Sequence, residues 1–338
     1  MIVEMRTGST PQEVEGVVQR AKALGFDVQL NLGTEKVVVA ILGSDTGQTS
    51  TDVFAVLPGV SSVTRIMKPY KLASREFTKK NTAFSVDGVE IGGKRVVVMA
   101  GPCAVEKEEQ LMKAAEIVKE AGASILRGGA FKPRTSPFSF HGLGEEGLEL
   151  LAKARERVNM PVITEVIDPQ HVAPVAKYAD MLQIGARNMQ NFSLLTEIGK
   201  SKRPALLKRG LSATVAEWLT AADYLLSEGN KKLALCERGI RTFETTVRFS
   251  MDISSVPVVK QASHLPIIVD PSHAAGHYAL VPALAKAAVA AGADGLIIEV
   301  HPNPKEALVD GLQSLTPSDF RRLMKELRSI AESIGRHI

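Results

Sequence analysis

Only two cysteines, Cys103 and Cys236, occur in the 338 residues, and they lie far apart. That excludes a disulfide framework, fits a reducing compartment and points to a cytoplasmic protein. Aromatic residues amount to 5%, with one tryptophan. No charge of one sign dominates: 41 Lys and Arg against 37 Asp and Glu leave +4, too little for a nucleic-acid binder of this length. The opening MIVEMRTGST has no basic region followed by an apolar core, so no secretory signal is expected. The most apolar long stretch, 279–298, is interrupted by Lys286, Gly292 and Asp294. It reads as a helix followed by a strand, because a membrane span needs ~20 mostly apolar residues. No C-x-x-C or H-E-x-x-H is present. What remains is an ordinary folded composition, 45% hydrophobic and 23% charged, which excludes disorder over most of the chain.

The first 66 residues read as βαββαβ. Strands are expected at 2–5, 26–30, 37–42 and 60–66, with a second helix at 51–57. Thr10 and Pro11 offer an N-cap and a first helical position. Val14, Val17, Val18, Ala21 and Leu24 follow at helical spacing. The order is that of a ferredoxin-like domain. An RNA-binding version would stack bases on strand aromatics, yet residues 1–70 offer only Phe26, Phe54 and Tyr70 and are close to neutral. Residues 67–94 read as a linker with a β-hairpin turning at Asp87-Gly88.

From 95 to 338 a strand-then-helix rhythm recurs eight times, with strands at 97–101, 124–129, 161–166, 181–186, 205–210, 233–239, 266–272 and 296–300. Gly122 and Gly292 close two of the helices in similar AGAS and AGAD contexts. The strands are short apolar runs, as expected when both faces are covered. Eight such units in this length predict a (β/α)8 barrel. A doubly wound sheet would more often carry G-x-G-x-x-G after its first strand, and none is there.

In such a barrel the chemistry sits at the C-terminal strand ends, and those ends fall into two groups. Strands one, seven and eight and the segment after them bring Cys103, His273, Glu299 and Asp310. Barrel closure makes these strands neighbours, and a thiol, an imidazole and two carboxylates suit a divalent metal. Strands two, four, five and six bring Arg127, Lys132, Arg134, Arg187, Lys208, Arg209 and Arg238. Cations concentrated at a barrel mouth predict a ligand with more than one phosphate or carboxylate group. Arg209 points outward if strand alternation holds. Cys236 and Trp218 read as packing, His277 as a helix-entry residue, and His301 as either a group behind the site's own ligands or a loop residue. Schiff-base aldol chemistry on Lys208 or Lys132 is a competing possibility and needs a lysine of lowered pKa.

Seven ordered segments carry a family resemblance: AGPCAVE, ILRGGAFKPRTSP, IGARNMQN, LLKRG, CERGIRTFE, VDPSHAAG and IIEVHPNPKEALVDG. Together they resemble the 3-deoxy-D-arabino-heptulosonate 7-phosphate (DAHP) synthases. The N-terminal unit looks like the regulatory domain of one subgroup. The resemblance implies an aldol-like condensation of phosphoenolpyruvate with erythrose 4-phosphate, releasing phosphate. It implies that Cys103, His273, Glu299 and Asp310 hold one divalent metal ion such as Mn, Fe or Zn. Arg127, Lys132, Arg187, Lys208 and Arg238 would bind phosphoenolpyruvate, and Pro133, Arg134 and Thr135 erythrose 4-phosphate. Lys132 would also be catalytic. An aromatic amino-acid effector and a homotetramer are implied as well. The related octulosonate 8-phosphate synthases, which use arabinose 5-phosphate, are the alternative, but the Lys132-Pro133-Arg134-Thr135 run resembles the heptulosonate enzymes.

Overall fold

A computed structural model describes residues 1–33, 36–43, 46, 49–65, 68–133 and 136–338. Two compact units emerge: Met1–Lys80 with Ala262–His264, and Asn81–Gln261 with Leu265–Ile338. Among the described residues no helix is long and apolar enough to cross a membrane.

The first unit runs β1 (Ile2–Met5), α1 (Pro11–Ala23), β2 (Asp27–Leu32), β3 (Val37–Leu42), α2 (Asp52–Ala55) and β4 (Val60–Thr64). Its sheet order is β2-β3-β1-β4, all antiparallel. This is the expected ferredoxin-like arrangement. Thr10 caps α1 by accepting from the Glu13 N–H, while Glu13 reaches back to the Thr10 N–H at 2.7 Å, a complete capping box. Val14, Val17, Val18 and Ala21 then face the sheet and pack on Val39, Ile41 and Phe54.

The second unit is a closed parallel barrel. Its strands are β7 (Val97–Gly101), β8 (Ile125–Arg127), β9 (Val162–Val166), β10 (Met181–Ile184), β11 (Ala205–Lys208), β12 (Leu233–Glu237), β13 (Ile267–Val269) and β14 (Gly295–Glu299), with β14 paired to β7. The intervening helices are α3 (Glu108–Glu120), α4 (Glu145–Val158), α5 (Val172–Tyr178), α6 (Phe192–Ser201), α7 (Val215–Ser227), α8 (Ser255–Ala262), a short α9 (Pro271–Ala275) and α10 (Val281–Ala290). The terminal α11 (Pro317–Ser333) packs between α10 and α3.

A hairpin, β5 (Phe84–Val86) and β6 (Val89–Ile91), precedes the barrel. Its Phe84, Val86 and Ile91 share one buried cluster with the inward Val97, Met99, Ile125, Ile163, Met181 and Leu206. The hairpin therefore plugs the end of the barrel where the strands begin. Each large apolar side chain buried there contributes roughly 1.5–3 kcal/mol.

Candidate active site

Strand periodicity builds the site. Ile125, Ile163, Met181, Leu206, Ile268 and Ile297 form part of the buried apolar interior. Two residues further along each strand stand Arg127, Glu165, Gln183, Lys208, Asp270 and Glu299. Side chains two apart share a face, so a layer of ionised and amide groups lies directly above the apolar one. Cys236 is likewise followed by Arg238. The same alternation turns Arg209 outward. It bonds Glu237 at 3.0 Å and Asp252 at 2.8 Å and lies beside the buried Trp218.

Above this layer lies a cavity of about 260 Å³, lined in part by Arg127, Lys132, Pro133, Lys208, Arg238 and the exposed rim residue Arg187. Five of the seven expected cations therefore converge on one space, and Arg209 does not. Arg134 and Thr135 fall outside the described residues. Arg238 stacks on the Phe249 ring at 4.1 Å, and its buried Nη1 has no hydrogen-bond partner. Burial, Arg248 and Arg187 lower its pKa, against the raising influence of Asp270. A buried guanidinium in a cavity wall, with one nitrogen left without a partner, is suited to an anion.

The second expected group also assembles. One donor atom each from Cys103, His273, Glu299 and Asp310 lies within 4.8 Å of all the others. The Cys103 Sγ is 3.4 Å from Asp310 Oδ2, and His273 Nε2 is 3.3 Å from Glu299 Oε1. His273 Nδ1 meets Asp270 Oδ2 at 2.8 Å. That contact assigns the ring proton to Nδ1 and turns the Nε2 lone pair toward the two carboxylates. Burial lowers the His273 pKa, outweighing the opposite pull of Asp270 and Glu299. A neutral imidazole lone pair facing carboxylate oxygens is repulsive unless a cation sits between them, and a carboxylate behind the ring is the usual support of a metal-binding histidine. Donor set and geometry thus fit a divalent metal.

The two groups meet at Lys132 and Arg127. Lys132 Nζ is 3.1 Å from Cys103 Sγ and 3.2 Å from the Cys103 carbonyl oxygen. Arg127 donates to Glu299 Oε1 at 2.7 Å. Burial would lower the Lys132 pKa, but Cys103, Glu165 and Glu299 outweigh it and the net shift is upward. Glu299 goes to about 2, because His273, Arg127 and Lys132 overcome the raising influence of burial. Burial pushes the Cys103 thiol up, with Glu299 and Asp310 adding to it. Lys208 is paired to Asp270. Lys132 is shifted the wrong way for a Schiff base, and both lysines stand among charged and polar partners rather than in the apolar surroundings that chemistry needs.

Reading strand ends alone missed Glu165 and Gln183, which bond each other at 3.2 Å and line the cavity. The two-residue step from Ile163 and Met181 is the signal that finds them. Gly185 makes room for Glu165, since a Cβ there would lie 2.0 Å from its Oε1. Also unforeseen were Arg248, Gln313 and the orienting role of Asp270. His301 is buried, with Nε2 3.5 Å from Glu106, and belongs neither to the donor cluster nor to the cavity lining.

A closed (β/α)8 barrel with a cation-lined cavity and metal-type donors at its C-terminal mouth defines a barrel enzyme for polyanionic substrates. Comparison with known proteins narrows this. Residues 74–334 match the DAHP synthetase I family and residues 1–68 the DAHP synthase ferredoxin-like domain. A phospho-2-dehydro-3-deoxyheptonate aldolase from Thermotoga maritima is 47% identical over 335 residues, covering 99% of both chains. The crystal structure of a Thermotoga maritima protein of that name aligns with a TM-score of 0.80 at 47% identity, over 99% of this chain and 98% of that one. A 2-dehydro-3-deoxyphosphooctonate aldolase from Francisella tularensis is 34% identical over 266 residues, covering 72% of this chain and 96% of its own. The chain belongs to the DAHP synthetase I family.

Proposed function

We propose that the chain condenses phosphoenolpyruvate with erythrose 4-phosphate to give DAHP and phosphate. The observation that carries this reading is the meeting of both predicted groups at one point, where Lys132 touches Cys103 and lines the cation-rich cavity. Cys103, His273, Glu299 and Asp310 hold one divalent ion, which when bound supplies Lewis-acid polarisation of the aldehyde oxygen. Arg127, Lys132, Arg187, Lys208 and Arg238 bind the carboxylate and phosphate of phosphoenolpyruvate. Pro133, Arg134 and Thr135 bind erythrose 4-phosphate. As carbon three of phosphoenolpyruvate attacks the aldehyde, negative charge grows on the aldehyde oxygen. Lys132, protonated and beside the donor cluster, is placed to deliver its proton there. Water then adds at carbon two and the C–O bond to phosphate breaks.

The ferredoxin-like unit is an effector domain for an aromatic amino acid, and the protein works as a homotetramer in the cytoplasm. Both cysteines are unpaired and buried, in keeping with a reducing compartment. The deciding experiment measures phosphate release from phosphoenolpyruvate with erythrose 4-phosphate or with arabinose 5-phosphate, before and after chelation. Preference for erythrose 4-phosphate and loss of activity on chelation support the reading. Preference for arabinose 5-phosphate would transfer the chain to octulosonate chemistry, and undiminished metal-free activity would remove the ion.

A further inference from the structure

Each of the two carboxylates in the donor cluster has one oxygen turned inward and the other tied back. Asp310 directs Oδ2 at Cys103 Sγ, at 3.4 Å, and at His273 Nε2, at 4.0 Å. Its Oδ1 is 3.4 Å from Arg248 Nη1. Glu299 directs Oε1 at His273 Nε2, and its Oε2 accepts from Gln313 Nε2 at 2.7 Å. The oxygen of the same Gln313 amide accepts from Arg248 Nη1 at 2.7 Å. One guanidinium nitrogen therefore holds back the outer oxygen of Asp310 directly and that of Glu299 through Gln313.

Arg248 is itself fixed. Its N–H and that of Phe249 donate to the carbonyls of Ala275 and Ala274, at 3.4 and 3.0 Å, in the helix that carries His273. Gly276 ends that helix at φ +70°, and a Cβ there would lie 2.4 Å from the Arg248 Cβ. Asp310 needs such a tether. It sits at φ +52°, a left-handed conformation uncommon for a non-glycine residue, in a partly exposed segment.

We infer that Arg248 is a positioning residue that makes Asp310 and Glu299 each offer a single oxygen to the divalent ion, and that it thereby selects against large cations. The inference rests on the proposed metal role of the cluster. Calcium takes 6–8 oxygens and readily binds a carboxylate through both of its oxygens, whereas smaller transition-metal ions suit a compact set of mixed donors. With Arg248 gone, Asp310 loses its direct tether and can present both oxygens, while Glu299, still held by Arg127 at Oε1, loses the support behind Gln313 that keeps Oε2 turned away. Supporting groups of this kind typically govern 10–100-fold in metal affinity.

The test is equilibrium binding of Mn²⁺ and Ca²⁺ to the full chain, comparing the parent with Arg248→Met, Arg248→Lys, Gln313→Met and Cys103→Ala. Arg248→Met should weaken Mn²⁺ binding about 10–100-fold and leave Ca²⁺ binding unchanged or tighter. Arg248→Lys should restore part of the Mn²⁺ affinity, and Gln313→Met should reproduce part of the loss. Unchanged Mn²⁺ affinity in Arg248→Met would overturn the inference while the metal site stands. So would a parallel loss for both ions, or a tenfold rise in the phosphoenolpyruvate KM with metal binding intact, which would make Arg248 a substrate ligand. If the parent binds neither ion, or binds Mn²⁺ no better than Cys103→Ala, the metal site falls and this inference with it.

Discussion

Lys208 and Arg209 are adjacent cations on opposite faces of the barrel wall, each in a buried ion pair, and replacing each should act differently on substrate binding. Arg209 is 5% exposed along its side chain, and Glu237 is fully buried. In Arg209→Met two carboxylates lose their counter-ion, because Glu237 and Asp252 share the same guanidinium nitrogen. Breaking a buried pair from one side costs about 3–5 kcal/mol. Glu237 keeps a hydrogen bond from the Gly239 N–H at 2.7 Å, which favours the lower end of that range. With a urea dependence of about 3 kcal/mol per molar, the midpoint should fall by roughly 1–1.5 M. Trp218 is the sole tryptophan and is buried 5.9 Å from Arg209, so intrinsic fluorescence reports this unit. The phosphoenolpyruvate KM of the folded enzyme should stay within about threefold of the parent, well under the tenfold that 1.4 kcal/mol represents. Lys208→Met should raise it by at least tenfold, the loss of one charge-assisted bond. Converting Glu237 to Gln alongside Arg209→Met should recover part of the lost stability, because most of the penalty is an orphaned charge. If Arg209→Met weakens phosphoenolpyruvate binding tenfold with an unmoved midpoint, Arg209 faces the cavity and the alternation argument is wrong.

Arg238→Ala removes a guanidinium with an unpartnered N–H and should weaken phosphoenolpyruvate binding about 10–150-fold, the equivalent of roughly 1.5–3 kcal/mol; Arg134→Ala should act mainly on the erythrose 4-phosphate KM, and both are read from steady-state kinetics with each substrate varied. Cys103→Ala should purify with little bound metal by elemental analysis yet keep its thermal midpoint within a few degrees, since it removes only one small buried group. His264 is buried against the Leu72 carbonyl, and burial lowers its pKa, aided by Arg75 and opposed by that hydrogen bond. The unfolded chain therefore binds a proton more readily, so stability is full above the ordinary histidine pKa of about 6.5 and is lost as pH falls from there toward the lowered value. Thermal melts across that window should show the slope, and His264→Gln should flatten it. A chain starting at Arg75 should keep catalysis and lose inhibition by tyrosine or phenylalanine; inhibition as strong as in the full chain would place the effector site in the barrel.

The barrel and its donor cluster were legible because strand ends are a small, ordered set. Once eight strands are counted, closure alone makes the residues after strands one, seven and eight neighbours. Arg209 was correctly turned outward by the period of two. Applied to Ile163 and Met181, the same rule reaches Glu165 and Gln183, which inspection of strand termini alone passes over. Arg248 was beyond reach, because it lies in a loop where no periodicity fixes direction. Its contact with Asp310 joins residues 62 apart in the chain. The plug formed by the hairpin was hidden for a related reason. Its apolar residues alternate as in any hairpin, and nothing local says which surface they meet.

That plug has a kinetic consequence. With Phe84, Val86 and Ile91 filling the floor, the cavity is reached among the described residues from the C-terminal mouth, where its lining side chains stand. Two reactants and two products share it, so phosphate and the seven-carbon sugar acid leave by the route their precursors used. Whichever product lingers there blocks the next turnover. Inorganic phosphate, free to settle on the cavity guanidinium groups proposed for phosphoenolpyruvate, is therefore expected to slow the enzyme by competing with that substrate, a built-in brake that would exist even without a regulatory domain.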